Sequence, residues 1–219
     1  MTVLYIIRHC ESEGNVSEIF QGRTDGDITP KGALQLESLK ERCKDIPFDI
    51  IYTSPLIRAR KTAEAVNYYH DAALIDEPEL MEINGGDMEG KKWEDLPLLF
   101  PDTYPTWIKD FGSFKAPGGE SVREVYERIK RAVIRIVSEN NGKTVGIVSH
   151  GGAIYTLLAF AYGVSPDELT QNPFWCENTA ISRVNFINGK PAPIFMNDTN
   201  HINDDDLTAP RLMLWRETE

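Results

Sequence analysis

Leu4-Tyr5-Ile6-Ile7-Arg8-His9 decides the reading of this chain: an uninterrupted apolar run ends abruptly in two cationic groups, followed by Glu11-Ser12-Glu13-Gly14-Asn15. Such a run reads as a buried strand that delivers Arg8 and His9 to the edge of a sheet, where a turn begins. A second delivery lies far downstream. Thr144-Val145-Gly146-Ile147-Val148-Ser149 runs into His150-Gly151-Gly152 and then into an apolar helical stretch from Ala153 to Tyr162. In open α/β sheets ligands bind beyond the carboxyl ends of parallel strands, so two strands that each end in a histidine point to one site.

A histidine at a strand end is commonly a hydrogen-bonded structural residue, but the chain has only four, and two occupy equivalent positions. A third element adds weight. Ile50-Ile51-Tyr52-Thr53 is another short strand, and Ser54-Pro55 after it reads as a helix N-cap with a first-turn proline. The expected helix carries Arg58 about one turn from its N-terminus, where an anion is favoured.

These segments resemble the histidine phosphatase superfamily, which includes cofactor-dependent phosphoglycerate mutases and related phosphatases. The resemblance rests on Ile7 to Asn15, on Gln21-Gly22-Arg23-Thr24-Asp25 leading to Ile28-Thr29-Pro30-Lys31-Gly32, and on Thr53 to Ala63. It continues in Leu80-Met81-Glu82-Ile83 with Glu89-Gly90, in Gly118-Gly119-Glu120-Ser121, and in Val148-Ser149-His150-Gly151. The resemblance implies that His9 is phosphorylated, that His150 is a second imidazole stabilising the transferring phosphoryl group, and that Glu82 is the proton donor, with Glu89 as the alternative. It further implies a phosphate pocket of Arg8, Arg58, Asn15, the backbone N–H of Gly151, and Gln21 or Gly22.

The residue types suit that chemistry. A phosphomonoester dianion repels nucleophiles, so its site needs fixed cations, a nucleophile and an acid for the leaving oxygen. Arginine supplies a planar, permanently protonated fork that matches phosphate oxygens, and neutral imidazole is a competent covalent nucleophile near pH 7. Cys10 departs from the small residue usual after this histidine. It reads either as a small buried hydrophobe or as a thiol whose oxidation could block the site.

The 219 residues fit a single α/β domain over residues 1–219, a three-layer sandwich with a largely parallel sheet and helices on both faces. Helices are expected from Thr29-Pro30 to before Pro47, with Leu34, Leu39 and Cys43 inward, and from about Ser121 to Ser138 on the face of Val122, Val125, Ile129, Val133 and Ile136. Thr179 to Ile187 and Ala192 to Met196 read as strands of a hairpin turned by Asn188-Gly189-Lys190. Residues 91–117 read as an insertion rich in aromatics (Trp93, Phe100, Tyr104, Trp107, Phe111, Phe114), either a substrate-selecting lid or a satellite core.

A net charge of −11 argues against nucleic-acid or anionic-membrane partners. Three irregularly spaced cysteines fit a reducing compartment, and no leader or membrane-spanning run is evident, so a cytoplasmic protein is expected. No metal or other cofactor is expected, and the oligomeric state is left open. Of three functions, a phosphomonoester hydrolase is favoured over a mutase, because the span between Glu82 and His150 is shorter than in the mutases and leaves the site open to water. A non-catalytic phospho-ligand binding module is disfavoured by the joint presence of Arg8, His9, Arg58, Glu82 and His150.

Overall fold

Apolar alternation in three short strands builds a sheet with two buried faces. In the computed structural model, which describes residues 1–171 and 174–208, Leu4 and Ile6 of β1 (Thr2–Arg8) point into one hydrophobic cluster and Tyr5 and Ile7 into another. Tyr52 of β2 (Ile50–Thr53), with Val145 and Ile147 of β4 (Thr144–Ser149), joins the first cluster, while Ile51 and Val148 join the second. The period of two and burial on both sides account for strands that are apolar nearly throughout. Gly146 allows the close approach of β2: a Cβ there would lie 3.1 Å from the Ile51 side chain.

The sheet has six strands in the order β3-β2-β4-β1-β5-β6. β1, β2, β3 (Ala73–Asp76) and β4 are parallel, and the hairpin of β5 (Ile181–Ile187) and β6 (Lys190–Asp198) adds two antiparallel strands beside β1. Asn188 and Gly189 both have positive φ, as a two-residue hairpin turn of the primed type requires.

Seven α-helices lie among the described residues: α1 (Glu13–Val16), α2 (Pro30–Cys43), α3 (Ile57–Val66), α4 (Leu96–Leu99), α5 (Tyr104–Lys109), α6 (Val122–Glu139) and α7 (Gly151–Tyr162). Side chains of α2 and α3 belong to the second cluster, those of α6 and α7 to the first, so the two pairs cover opposite faces. Thr29 caps α2 by accepting from the N–H of Gly32 at 2.9 Å, and Ser121 caps α6 by accepting from Glu124 at 3.1 Å. All five residues expected on the inner face of α6 are buried.

Two local expectations need correction. Leu34 is 56% exposed, because Leu36, Leu39 and Cys43 set the inner face of α2 and Leu34 lies about 200° around the helix from Leu36. Ser54 does not cap α3, whose first helical residue is Ile57; its hydroxyl is used elsewhere, as described below. No helix among the described residues is long and apolar enough to cross a membrane.

Candidate active site

Register places the two histidines side by side. Arg8 of β1 lies opposite Ser149 of β4, so the next residue of each strand, His9 and His150, leaves the sheet at the same level. The N–H of His9 donates to the Ser149 carbonyl at 2.9 Å, and the imidazole centroids are 5.1 Å apart. β1 and β4 are also where the chain's excursions diverge, towards β2 on one side and β5 on the other, the switch point at which such sheets bind ligands.

The tautomer of His9 follows from its partner. Nδ1 lies 2.7 Å from the Cys10 carbonyl oxygen, which can only accept, so Nδ1 carries the proton and Nε2 keeps its lone pair. Burial, followed by the charges of Arg58 and Arg8, holds the His9 pKa well below its ordinary value, which keeps the ring neutral and nucleophilic at neutral pH. His150 is depressed in the same way, by burial and then by Arg58. Its Nε2 pairs with the Ser54 hydroxyl at 2.7 Å, while its buried Nδ1 has no protein partner among the described residues.

Two arginines complete the cationic end. Arg58, 1% exposed, donates from Nη2 to the Gly22 carbonyl at 2.8 Å and from Nη1 to the Thr24 carbonyl at 3.0 Å. Arg8 donates from Nη1 to the Cys176 carbonyl at 2.7 Å, and its guanidinium lies over the Trp175 ring, 4.5 Å from the centroid. Burial lowers both pKa values, that of Arg58 to about 10, so both remain cations at neutral pH. In each the Nε–H is buried without a protein partner, so two anchored guanidiniums retain a donor. Buried donors ordinarily find acceptors, and an oxyanion would satisfy these.

Glu82 lies at the N-terminus of α7. Its Oε2 accepts from the N–H of Gly152 at 2.9 Å, and its Oε1 accepts from Ala153 at 3.1 Å and Ile83 at 2.9 Å. Glycine at 152 is what admits the carboxylate, since a Cβ there would stand 2.8 Å from Oε1. Arg128 clamps the strand of chain before it, donating to the carbonyls of Glu79, Met81 and Glu82 and pairing with Glu120, whose Oε2 also meets Arg23 at 3.1 Å. Glu89 has the structural position: it accepts from the N–H groups of Arg23 and Gly85, both at 2.8 Å, and from the Thr24 hydroxyl.

A cavity of about 120 Å³ opens on this cluster. Of the residues singled out from the sequence, Arg8, His9, Asn15, Gln21, Gly22, Arg58 and Glu82 line it. His150 and Gly151 do not; they are buried one layer behind, His150 against the His9 ring and Gly151 beside Arg8 and Trp175.

A model of the histidine phosphatase superfamily (branch 1) matches residues 4–199. The chain belongs to that superfamily. The phosphatase is 32% identical to the uncharacterized phosphatase PhoE of Bacillus subtilis over 167 residues, 76% of this chain and 81% of the relative. It is 27% identical to phosphoserine phosphatase 1 of Hydrogenobacter thermophilus over 204 residues, 93% and 96% of the two chains. The solved structure of Bacillus stearothermophilus YhfR superposes with a TM-score of 0.88 at 30% identity, covering 93% of this chain and all of that one. This histidine phosphatase is a phosphomonoester hydrolase.

The other half of the phosphatase's cavity is aromatic. Trp93, Trp107 and Phe111 from residues 91–117 line it with Phe20, Tyr155 and Trp175. Trp107 is the hub, its ring 4.7–5.5 Å from those of Phe20, Trp93, Phe111 and Phe114. Trp107, Phe111 and Phe114 also belong to the first core cluster, so the segment packs into the main core as well as lining the cavity. Lys91, Lys92, Lys109 and Lys115 are exposed.

Sequence reading missed the wall formed by Trp175, Glu177 and Asn178. Asn178 donates from Nδ2 to the carbonyl of His9 at 2.7 Å, and the N–H of Thr179 donates to that of Arg8 at 3.1 Å. The segment arrives here because β5 runs antiparallel to β1, pairing Ile181 with Ile7, so residues before β5 meet residues after β1. The Ser54 hydroxyl was misread as a cap. The Cys10 thiol turns away into the second core cluster, where burial pushes its pKa up to about 11. That geometry supports the packing role and leaves no activated thiolate beside His9.

Proposed function

We propose that Nε2 of His9 attacks the phosphorus of the substrate, forming the N–P bond as the P–O bond to the leaving group breaks. Glu82, in its acid form, gives the leaving oxygen a proton. Water then attacks phosphohistidine and returns a proton to Glu82, releasing phosphate and neutral His9. Arg8 and Arg58 neutralise the phosphoryl oxygens through their remaining donors, His150 Nδ1 supplies a further one, and Asn15, Gln21, Gly22 and the N–H of Gly151 shape the pocket. The observation that carries this reading is a set of buried nitrogens without a protein partner, among the described residues, around His9: the Nε–H of Arg8 and of Arg58, whose charges act on the His9 ring, and Nδ1 of His150, whose ring centroid lies 5.1 Å from that of His9 and which carries a proton when Nε2 accepts from Ser54.

Charge neutralisation by arginine supports metal-independent turnover, the role that magnesium has in many phosphoryl transferases. We read the chain as one domain in which residues 91–117 are an insertion that selects the leaving group. The strongly acidic composition supports a protein without nucleic-acid or membrane partners, and its unpaired, buried cysteines support a reducing, cytoplasmic setting.

Rapid quench with labelled substrate, in excess chelator, tests the mechanism. An acid-labile, base-stable phosphoprotein is expected from the wild type and none from His9→Ala. A normal phosphoenzyme signal in the variant would remove His9 as nucleophile, and loss of wild-type signal on chelation would remove the metal-independent reading.

A further inference from the structure

The phosphoryl chemistry gives no task to two carboxylates of the cavity lining, the exposed Glu18 and the partly buried Glu177, and of these Glu177 is the one whose carboxylate is without a partner among the described residues. Glu177 lines the same space as Arg8 and Glu82, is partly buried, and its carboxylate has neither a hydrogen bond nor an ion pair within 4 Å among the described residues. Its backbone is fixed: the N–H donates to Asn197 Oδ1 at 2.8 Å and the carbonyl accepts from Ala180 at 3.1 Å. Arg8 is close enough for its charge to act on Glu177. It is not free to swing towards it, being held by the Cys176 carbonyl and covered by Trp175. Burial pushes the Glu177 carboxyl above the ordinary carboxylate range in spite of that nearby cation, so the site favours any ligand that brings a compensating positive charge.

The rest of this half points the same way. Its walls are the rings of Phe20, Trp93, Trp107, Phe111 and Tyr155, with Trp175 already stacked on Arg8, and aromatic rings are the surroundings in which ligand cations, quaternary ammonium groups among them, are held. Arg8 and Arg58 are the only arginine or lysine residues lining the cavity among the described residues, and a bound phosphate dianion would take both. A carboxylate on the leaving group would find no cation of its own and would meet Glu18, Glu82 and Glu177.

We propose that Glu177 is a specificity-determining residue that pairs with a cationic amine on the leaving group, so that the preferred substrates are phosphate esters of small amino alcohols lacking a carboxylate. This deepens the phosphatase reading and rests on it, because the phosphoryl end must lie at Arg8, Arg58 and His9.

Binding of uncleavable phosphonates separates the two ideas. Calorimetric titration of the full chain with 2-aminoethylphosphonate and its isostere propylphosphonate should show the amine bound about tenfold to a hundredfold more tightly, the range expected of a charged hydrogen bond. In Glu177→Gln that preference should collapse to about unity, and in Glu177→Asp it should survive in part. 2-Amino-3-phosphonopropionate, which adds a carboxylate, should bind the wild type more weakly than 2-aminoethylphosphonate. Equal binding of amine and isostere by the wild type, a preference that persists in Glu177→Gln, or tighter binding of the carboxylate-bearing ligand would each overturn the proposal. Failure of the phosphatase reading would show instead as absence of a phosphoenzyme and of nitrophenyl phosphate hydrolysis, whatever the phosphonates do.

Discussion

The two halves of the cavity are built by opposite means. The phosphoryl half is made of strand ends and helix starts: His9 and His150 follow paired strands, Arg58 is the second residue of α3, and Glu82 meets the first turn of α7. Its groups are charged or titratable and fixed through the backbone, and all but the partly buried Glu82 are deeply buried. The leaving-group half comes from residues 91–117 and from the segment before β5, and is mostly aromatic surface. The difference teaches where freedom to vary lies. Strand ends tie chemistry to the register of the sheet, whereas loop and short-helix side chains can change the leaving group without moving the phosphate.

The largest expected effect challenges that division at its boundary, where Glu82 touches both halves. A poor leaving group needs a positioned acid, an effect of about 10²–10⁴-fold, whereas nitrophenolate departs readily without one. Glu82→Gln should therefore cripple single-turnover phosphorylation of His9 by glycerol phosphate while slowing that by nitrophenyl phosphate much less. Equal losses on the two esters would place Glu82 with the scaffold of α7 rather than with the chemistry.

A smaller effect concerns the stability cost of the phosphoryl half. His9 and His150 have folded-state pKa values depressed by burial and by the arginines, so below about pH 6.5 the unfolded chain binds protons that the folded chain does not. Stability should be greatest above that pH and fall as acid is added, by up to about 1.4 kcal/mol per pH unit for each histidine. His201, lowered to about 4, adds to the slope from outside the cavity. Denaturant melts between pH 7 and 5.5 in phosphate-free buffer should show a shallower slope for His9→Asn and His150→Asn. An unchanged slope in both would mean that these rings are not held neutral by the fold.

The smallest effect is at Cys10, adjacent to the nucleophile in sequence but packed in the core on the other face of the sheet. With its thiol raised to about 11 by burial, wild type and Cys10→Ala should lose activity to peroxide at the same rate. Protection by the substitution would return Cys10 to the site and blur the boundary between cavity and core.

Legibility followed the same boundary. Leu4 to His9 and Thr144 to His150 announced two buried strands with chemistry at their ends, and the order of motifs around Arg58 and Glu82 carried the rest of the phosphoryl half. Ser54 was misread because Ser-Pro before a helix is a good local cap signal, while its actual partner, His150, is 96 residues away. Arg128 carried no sequence signal and Glu120 stood only as part of Gly118-Gly119-Glu120-Ser121, yet Arg128 holds the carbonyls of Glu79, Met81 and Glu82 and is itself paired with Glu120.

What the sequence determined by itself is what short-range physics encodes: the period of two in the strands, the apolar face of α6, the Thr29 and Ser121 caps, the Asn188-Gly189 turn, and residue types fit to neutralise and attack a phosphate. Tertiary structure decided which of them meet. Trp175, Glu177 and Asn178 show no periodicity and no motif, and they reach His9 only because β5 pairs antiparallel with β1. A pairing between strands more than 170 residues apart depends on the whole sheet order, and no local pattern in either strand specifies it.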